Sequence, residues 1–272
     1  MFGKLMKYEL RYLIRIFAPM WAAVLALCTL SRLILNPDMD GMMYVEGSEA
    51  ILPVVIVMLT VFAIITMMIV ATVVLLQRFY KGMYGDEGYL MFTLPVTTGS
   101  LIHSKALSAM LMMLGTELLT LVGVMIMVSY PQVWNQIDMD IGEMFTMVLE
   151  MNGLSAPEFI VLAFWIVVVG VLSIAQGIYL VYLAISIGQL WKKHPVAGAI
   201  VAYYVITLVI NFTIGGLGAT QQGYLLEQLI PNMEYGAALA VTLIASTLCC
   251  VVLIVLSVLG TKWILDKKLN IA

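Results

Sequence analysis

The chain reads as long apolar runs separated by short polar stretches. Runs of about 20 mostly apolar residues are long enough to cross a bilayer as helices. Six such runs occur, at 16–35, 51–76, 106–128, 159–190, 196–216 and 237–260. They are uncharged apart from Arg32 near the end of the first and Glu117 within the third. Ahead of the first run, Phe2, Leu5, Met6, Leu10, Leu13, Ile14 and Phe17 recur at helical spacing, with Lys4, Lys7, Arg11 and Arg15 largely on another face. That pattern predicts a basic amphipathic helix over 1–15 lying along the membrane surface. A short surface helix is expected over 141–151, where Met144, Phe145, Val148 and Leu149 fall near helical spacing. Between 217 and 236, Gly218 and Gly223 precede Tyr224, Leu225, Leu226, Leu229, Ile230 and Pro231. An apolar stretch this short is read as dipping into the membrane and returning.

Composition agrees and narrows the class. Of 272 residues, 63% are hydrophobic and 11% charged, against about 45–50% and about 25% in soluble domains. An ordinary soluble enzyme and a disordered chain are both excluded. The net charge of −3 offers no basic face for nucleic acid. Cys28, Cys249 and Cys250 lie in apolar runs and do not form a disulfide framework. No A-x-A-like cleavage site follows the N-terminal basic stretch, so the N-terminus is expected to be retained.

Charge position then orients the bundle. Lys4, Lys7, Arg11, Arg15, Arg78, Lys81, Lys105, Lys192, Lys193, Lys262, Lys267 and Lys268 all flank one side of the six runs. Asp38, Asp40, Glu46, Glu49, Asp138, Asp140, Glu143, Glu150, Glu158, Glu227 and Glu234 occupy the other. By the positive-inside rule both termini are expected in the cytoplasm.

The inside segment 77–105 reads QRFYKGMYGDEGYLMFTLPVTTGSLIHSK. Gly82 and Gly85 are expected to end the preceding helix. Asp86 and Glu87 suit the positive end of a new one, and Pro95 stops it. Thr97, Thr98 and Ser100 offer capping oxygens for the helix that follows. A short helix carrying Tyr89, Leu90 and Phe92 therefore projects between two spans. Its apolar side chains rest on the bilayer or in a groove of a partner.

The run GDEGYLMFTLP with the later Lys105, and the ending KWILDKKLNIA, resemble the ABC-2 type permeases of Gram-positive bacteria. Within that family the resemblance points to exporters of phenol-soluble modulins, which are amphipathic helical peptide toxins. It implies an all-α, six-span transmembrane domain of the type V exporter kind covering 1–272, in the bacterial cell membrane. It further implies a coupling helix formed by Asp86, Glu87, Gly88, Tyr89, Leu90, Phe92, Thr93, Leu94 and Pro95. That helix would dock on a separate ATP-binding subunit present in two copies, beside a second copy of this chain or a close paralogue. An outer gate is expected around Gly215, Gly216, Gly218 and Pro231, opening to release a peptide substrate.

The chain carries no engine of its own. There is no G-x-x-x-x-G-K-[ST] phosphate loop, and His103 and His194 are the only histidines, with no ligand cluster at metal spacing. ATP and Mg are accordingly expected on the partner subunit, with no cofactor, metal or catalytic residue here. Glu117 is the one carboxylate expected within the bilayer, where an ionised group costs a few kcal/mol or more. Arg32, Gln176 and Asn211 are its candidate partners, and two readings stay open: a hydrated cavity wall or an interhelical hydrogen bond. Met58, Met67, Met68, Met110, Met112, Met113, Met125 and Met127 supply flexible thioethers that suit varied apolar ligands or ordinary packing. Other functions consistent with the chain are a drug or lipid exporter subunit, a sensor or scaffold, and an ion-driven transporter.

Overall fold

The computed structural model describes residues 2–34, 51–85, 88, 96–129, 141–151, 155–191, 193–215 and 235–267. Seven helices account for nearly all of them: α1 (Phe2–Ile34), α2 (Ile51–Tyr84), α3 (Thr98–Val128), α4 (Ile141–Met151), α5 (Ala156–Gly188), α6 (Pro195–Gly215) and α7 (Tyr235–Lys267). Among the described residues there is no strand. All except α4 are long and apolar enough to cross a membrane, as in a multi-pass membrane protein. The short α4 has the bounds expected from its apolar spacing.

The helices differ from the apolar runs at their ends. Where 1–15 and 16–35 are expected as a surface helix and a span, the described residues Phe2–Ile34 form the single helix α1. Its 33 residues measure about 50 Å at 1.5 Å per residue, well beyond the hydrocarbon thickness of about 30 Å. Pro19 lies inside it without ending it. The expected break at Gly82 is likewise absent, since α2 continues to Tyr84 and α3 begins at Thr98. The reason is general. Hydropathy marks where a helix leaves the apolar layer, whereas the backbone hydrogen-bond ladder continues through polar residues until a true breaker or cap.

The chain forms two compact units, one of 1–78 with 107–144 and one of 79–106 with 145–272. In the first, α1 buries a single stripe of Glu9, Leu13, Phe17, Val24, Cys28 and Ser31. Lys4, Lys7, Arg11 and Arg15 are exposed. Ser31 and Thr60, both fully buried, share a hydroxyl hydrogen bond between α1 and α2. Trp21 Nε1 donates to Thr116 Oγ1 at 3.1 Å, joining α1 to α3. Gly115 faces the Trp21 ring, and a Cβ at Gly123 would lie 2.9 Å from Cys28 Sγ. Small residues thus let α3 approach α1 closely, the usual solution where lipid supplies no hydrophobic drive.

In the second unit α5 packs against both α6 and α7. The N-terminus of α5 is closed by Glu158, whose carboxylate accepts from Ser155 N at 2.8 Å and Ser155 Oγ at 2.6 Å. Trp165 Nε1 donates to Thr247 Oγ1 at 2.9 Å, and Cys250 Sγ to Gln176 Oε1 at 3.4 Å. The turn from α5 to α6 is tight. A Cβ at Gly188 would stand 2.4 Å from Ala199 N and 2.6 Å from Pro195 O, so only glycine fits there.

Candidate functional site

The described parts of segment 77–105 are two helix ends. The last turns of α2 and the first turns of α3 carry the largest fully buried side chains of the second unit among the described residues: Phe79, Met83, Leu101 and Ile102 are each 2% exposed or less. Gly82 is a seat for a cation instead of a helix breaker. A Cβ there would meet Lys105 Nζ at 2.4 Å. Lys105 is itself only 4% exposed, although its charge alone suggests a solvated flank. Gly85 does end α2, and Gly88 N donates to Gly85 O at 2.8 Å. At Gly88 a Cβ would stand 2.7 Å from Met83 O, so the backbone folds back closely on the helix it has left. At the start of α3, Thr97 Oγ1 accepts from Ser100 N at 3.3 Å, the cap expected from the Thr-Thr-Gly-Ser run.

Both helix ends are fastened to α5. The Phe79 ring lies flat on that of Tyr182, with centroids 3.6 Å apart and planes 7° apart. Tyr84 Oη donates to Ser186 Oγ at 2.6 Å, and Ser186 Oγ donates onward to Tyr182 O at 2.7 Å. From α3, His103 Nδ1 and Tyr179 Oη share a hydrogen bond of 2.7 Å. The anchors Tyr179, Tyr182 and Ser186 are spaced three and four apart, on one face of α5.

The first unit holds a second concentration of polar chemistry, around a carboxylate that charge counting by loops overlooks. Glu9 is 5% exposed and accepts from Arg78 Nε at 2.8 Å and Arg78 Nη2 at 3.3 Å. The Arg78 guanidinium also lies 4.4 Å from the centre of the Tyr12 ring. The signal was present in the sequence: Glu9, Leu13 and Phe17 share a stripe at four-residue spacing, so a carboxylate on the apolar face needed a cation.

The other expected site residues are scattered. Of the coupling segment, Gly88 is described, while Asp86, Glu87, Tyr89, Leu90, Phe92, Thr93, Leu94 and Pro95 lie outside the described residues. So do Gly216, Gly218 and Pro231 of the expected outer gate; Gly215 closes α6. Glu117 is half-buried and, among the described residues, has no hydrogen bond or ion pair. Its expected partners are engaged elsewhere or suit their own helices. Gln176 accepts from Cys250, and Asn211 Nδ2 donates to Thr207 O of its own helix at 2.9 Å. Arg32 sits in the last turn of α1, where a cation suits the carbonyl end. The methionines divide as well: Met67 and Met112 are core residues, whereas Met58 and Met125 point outward.

Comparison of the chain with protein-family models, curated proteins and solved structures gives no match. Among the described residues no group of His, Cys, Asp and Glu could hold a metal ion.

Proposed function

We propose that this chain is the membrane-spanning permease subunit of an ATP-driven exporter of the ABC-2 kind. It moves amphipathic or hydrophobic peptides out of the cell. The observation that carries the proposal is the placement of the GDEGYLMFTLP run. It joins the ends of two spanning helices on the side where the cations gather, and both ends are anchored on α5. A segment that carries Tyr89, Leu90 and Phe92 in its sequence suits a groove on a cytoplasmic subunit, and a firm base lets a push on it do work.

In this reading both termini are cytoplasmic and two copies of the chain assemble with two ATP-binding subunits. ATP closes those subunits, the segments from Asp86 to Pro95 are driven together, and peptide leaves through a gate near Gly215. Glu117 lines a hydrated cavity in the bilayer, which keeps a carboxylate with no partner among the described residues out of hydrocarbon. The chain itself carries out no chemistry.

Co-expression with the ATP-binding subunit encoded beside it tests the proposal. A stable complex with basal ATP turnover is expected, and Tyr89→Ala with Leu90→Ala is expected to abolish assembly. A double variant that assembles and turns over ATP like the parent refutes the docking role. Stimulation of turnover by drugs or lipids, with none by amphipathic helical peptides, overturns the substrate class and leaves the exporter standing.

A further inference from the structure

We propose that Tyr179, Tyr182 and Ser186 of α5 are positioning residues. They fix the inner ends of α2 and α3 to one helix, so that displacement of the segment between those ends is delivered to the α5–α6 hairpin. The inference rests on the exporter reading for its purpose, and on geometry for its parts.

Each end has its own attachment. From α2 come the Phe79–Tyr182 ring stack and the Tyr84–Ser186 hydrogen bond, and from α3 the His103–Tyr179 hydrogen bond. The two ends also meet each other, because Lys105 of α3 fills the space that Gly82 leaves on α2. The Phe79 and Tyr182 rings lie face to face with centroids 3.6 Å apart, so the two side chains touch over the whole ring surface and one cannot shift without the other. The Tyr84 hydroxyl gives its proton to Ser186, whose own proton goes to Tyr182 O, so the chain of donors ends on α5 backbone.

The anchors are followed closely by Gly188, where α5 and α6 touch backbone to backbone. The Gly188 Cα faces Ala199 and Pro195 O with no space for a methyl group, and Gly198 returns the contact to Gly188. Interfaces packed to this density move as rigid pieces instead of deforming continuously. A shift imposed on the ends of α2 and α3 therefore passes to α5 through three side chains, and to α6 through the glycine turn.

Hydrogen exchange on the full chain in nanodiscs tests the joint without any ATPase. The parent is expected to exchange amides of 79–84, 98–106 and 179–188 at a common rate. Tyr182→Leu, which removes the stack, should speed all three segments at least tenfold. Tyr182→Phe, which keeps the ring, should leave them within twofold. Acceleration confined to α5 under Tyr182→Leu overturns the proposal, as do unrelated parental rates in the three segments.

The second measurement uses the complex with the ATP-binding subunit, trapped with ATP and vanadate. Trapping should change exchange across 188–199 in the parent. Tyr84→Phe with Ser186→Ala removes the Tyr84–Ser186 hydrogen bond and the onward one from Ser186 to Tyr182 O, with little loss of volume. That variant should erase the change while assembly and ATP turnover stay within twofold. A change that persists in it, or turnover that falls together with assembly, refutes a positioning role. A parent chain that binds no ATP-binding subunit refutes the exporter reading, and the nanodisc experiment alone then decides whether the joint exists.

Discussion

The Glu9–Arg78 pair offers the sharpest energetic test. Both side chains are largely removed from solvent, at 6% for Glu9 and 17% for Arg78, and two hydrogen bonds of 2.8 and 3.3 Å join them. Breaking a buried pair by removing one partner costs about 3–5 kcal/mol, because the other charge stays behind. Replacing both with apolar groups of similar volume is commonly neutral or better. The two single replacements should also differ. After Glu9→Leu, Arg78 keeps the Tyr12 ring at 4.4 Å, and a cation over an aromatic face recovers about 0.5–2 kcal/mol. Arg78→Leu removes both hydrogen bonds from the guanidinium to the buried carboxylate, so a cost of about 3–5 kcal/mol is expected. Glu9→Leu is thus expected to cost about 1–4.5 kcal/mol, less than Arg78→Leu, by the same reasoning. The double replacement should lie within about 1 kcal/mol of the parent. Equilibrium unfolding in a bilayer or detergent, arranged as a double-mutant cycle, measures all four corners. Single costs that add in the double variant would show that the pair is not coupled and would refute the reasoning.

Three other outcomes follow from the same physics. Gly188→Ala should destabilise the chain by about 1–3 kcal/mol or more, because its Cβ would stand 2.4 Å from Ala199 N and 2.6 Å from Pro195 O, and backbone atoms cannot step aside; Gly123→Ala, which meets the Cys28 thiol, should cost less, and thermal unfolding in one detergent ranks the two. Trp165→Phe and Thr247→Val remove the two sides of one intramembrane hydrogen bond, so each should cost about 0.6 kcal/mol and the pair little more than either alone, read by the same cycle. Glu117→Gln should leave stability within about 0.5 kcal/mol, since no described residue pairs with it, while altering peptide-stimulated ATP turnover in the assembled complex; an unfolding shift above 1 kcal/mol would instead place Glu117 in a structural bond.

The helix count was legible because it rests on composition over long windows. An apolar run of about 20 residues has few alternatives to a spanning helix. The short helix α4 and the Thr97 cap were legible for a local reason: side-chain spacing and capping oxygens act within one turn. Helix ends were less so. Arg15, Gln77 and Arg78 look like exits from the membrane and are, in the structure, interior residues of continuous helices. Polarity reports the surrounding solvent, while a helix ends only where its backbone hydrogen bonds are replaced.

Sequence alone determined an all-helical, membrane-type chain with six long apolar helices, because hydrophobic run length and helical period are properties of neighbouring residues. Only the tertiary structure decided which polar residues are surface and which are joints. Glu9 and Arg78 are 69 positions apart, and Tyr84 and Ser186 are 102 apart. Gly82 reads as a breaker until Lys105 is seen to occupy its missing side chain. Such pairings depend on how helices far apart in the chain are brought face to face, and no local pattern of charge or hydropathy encodes that.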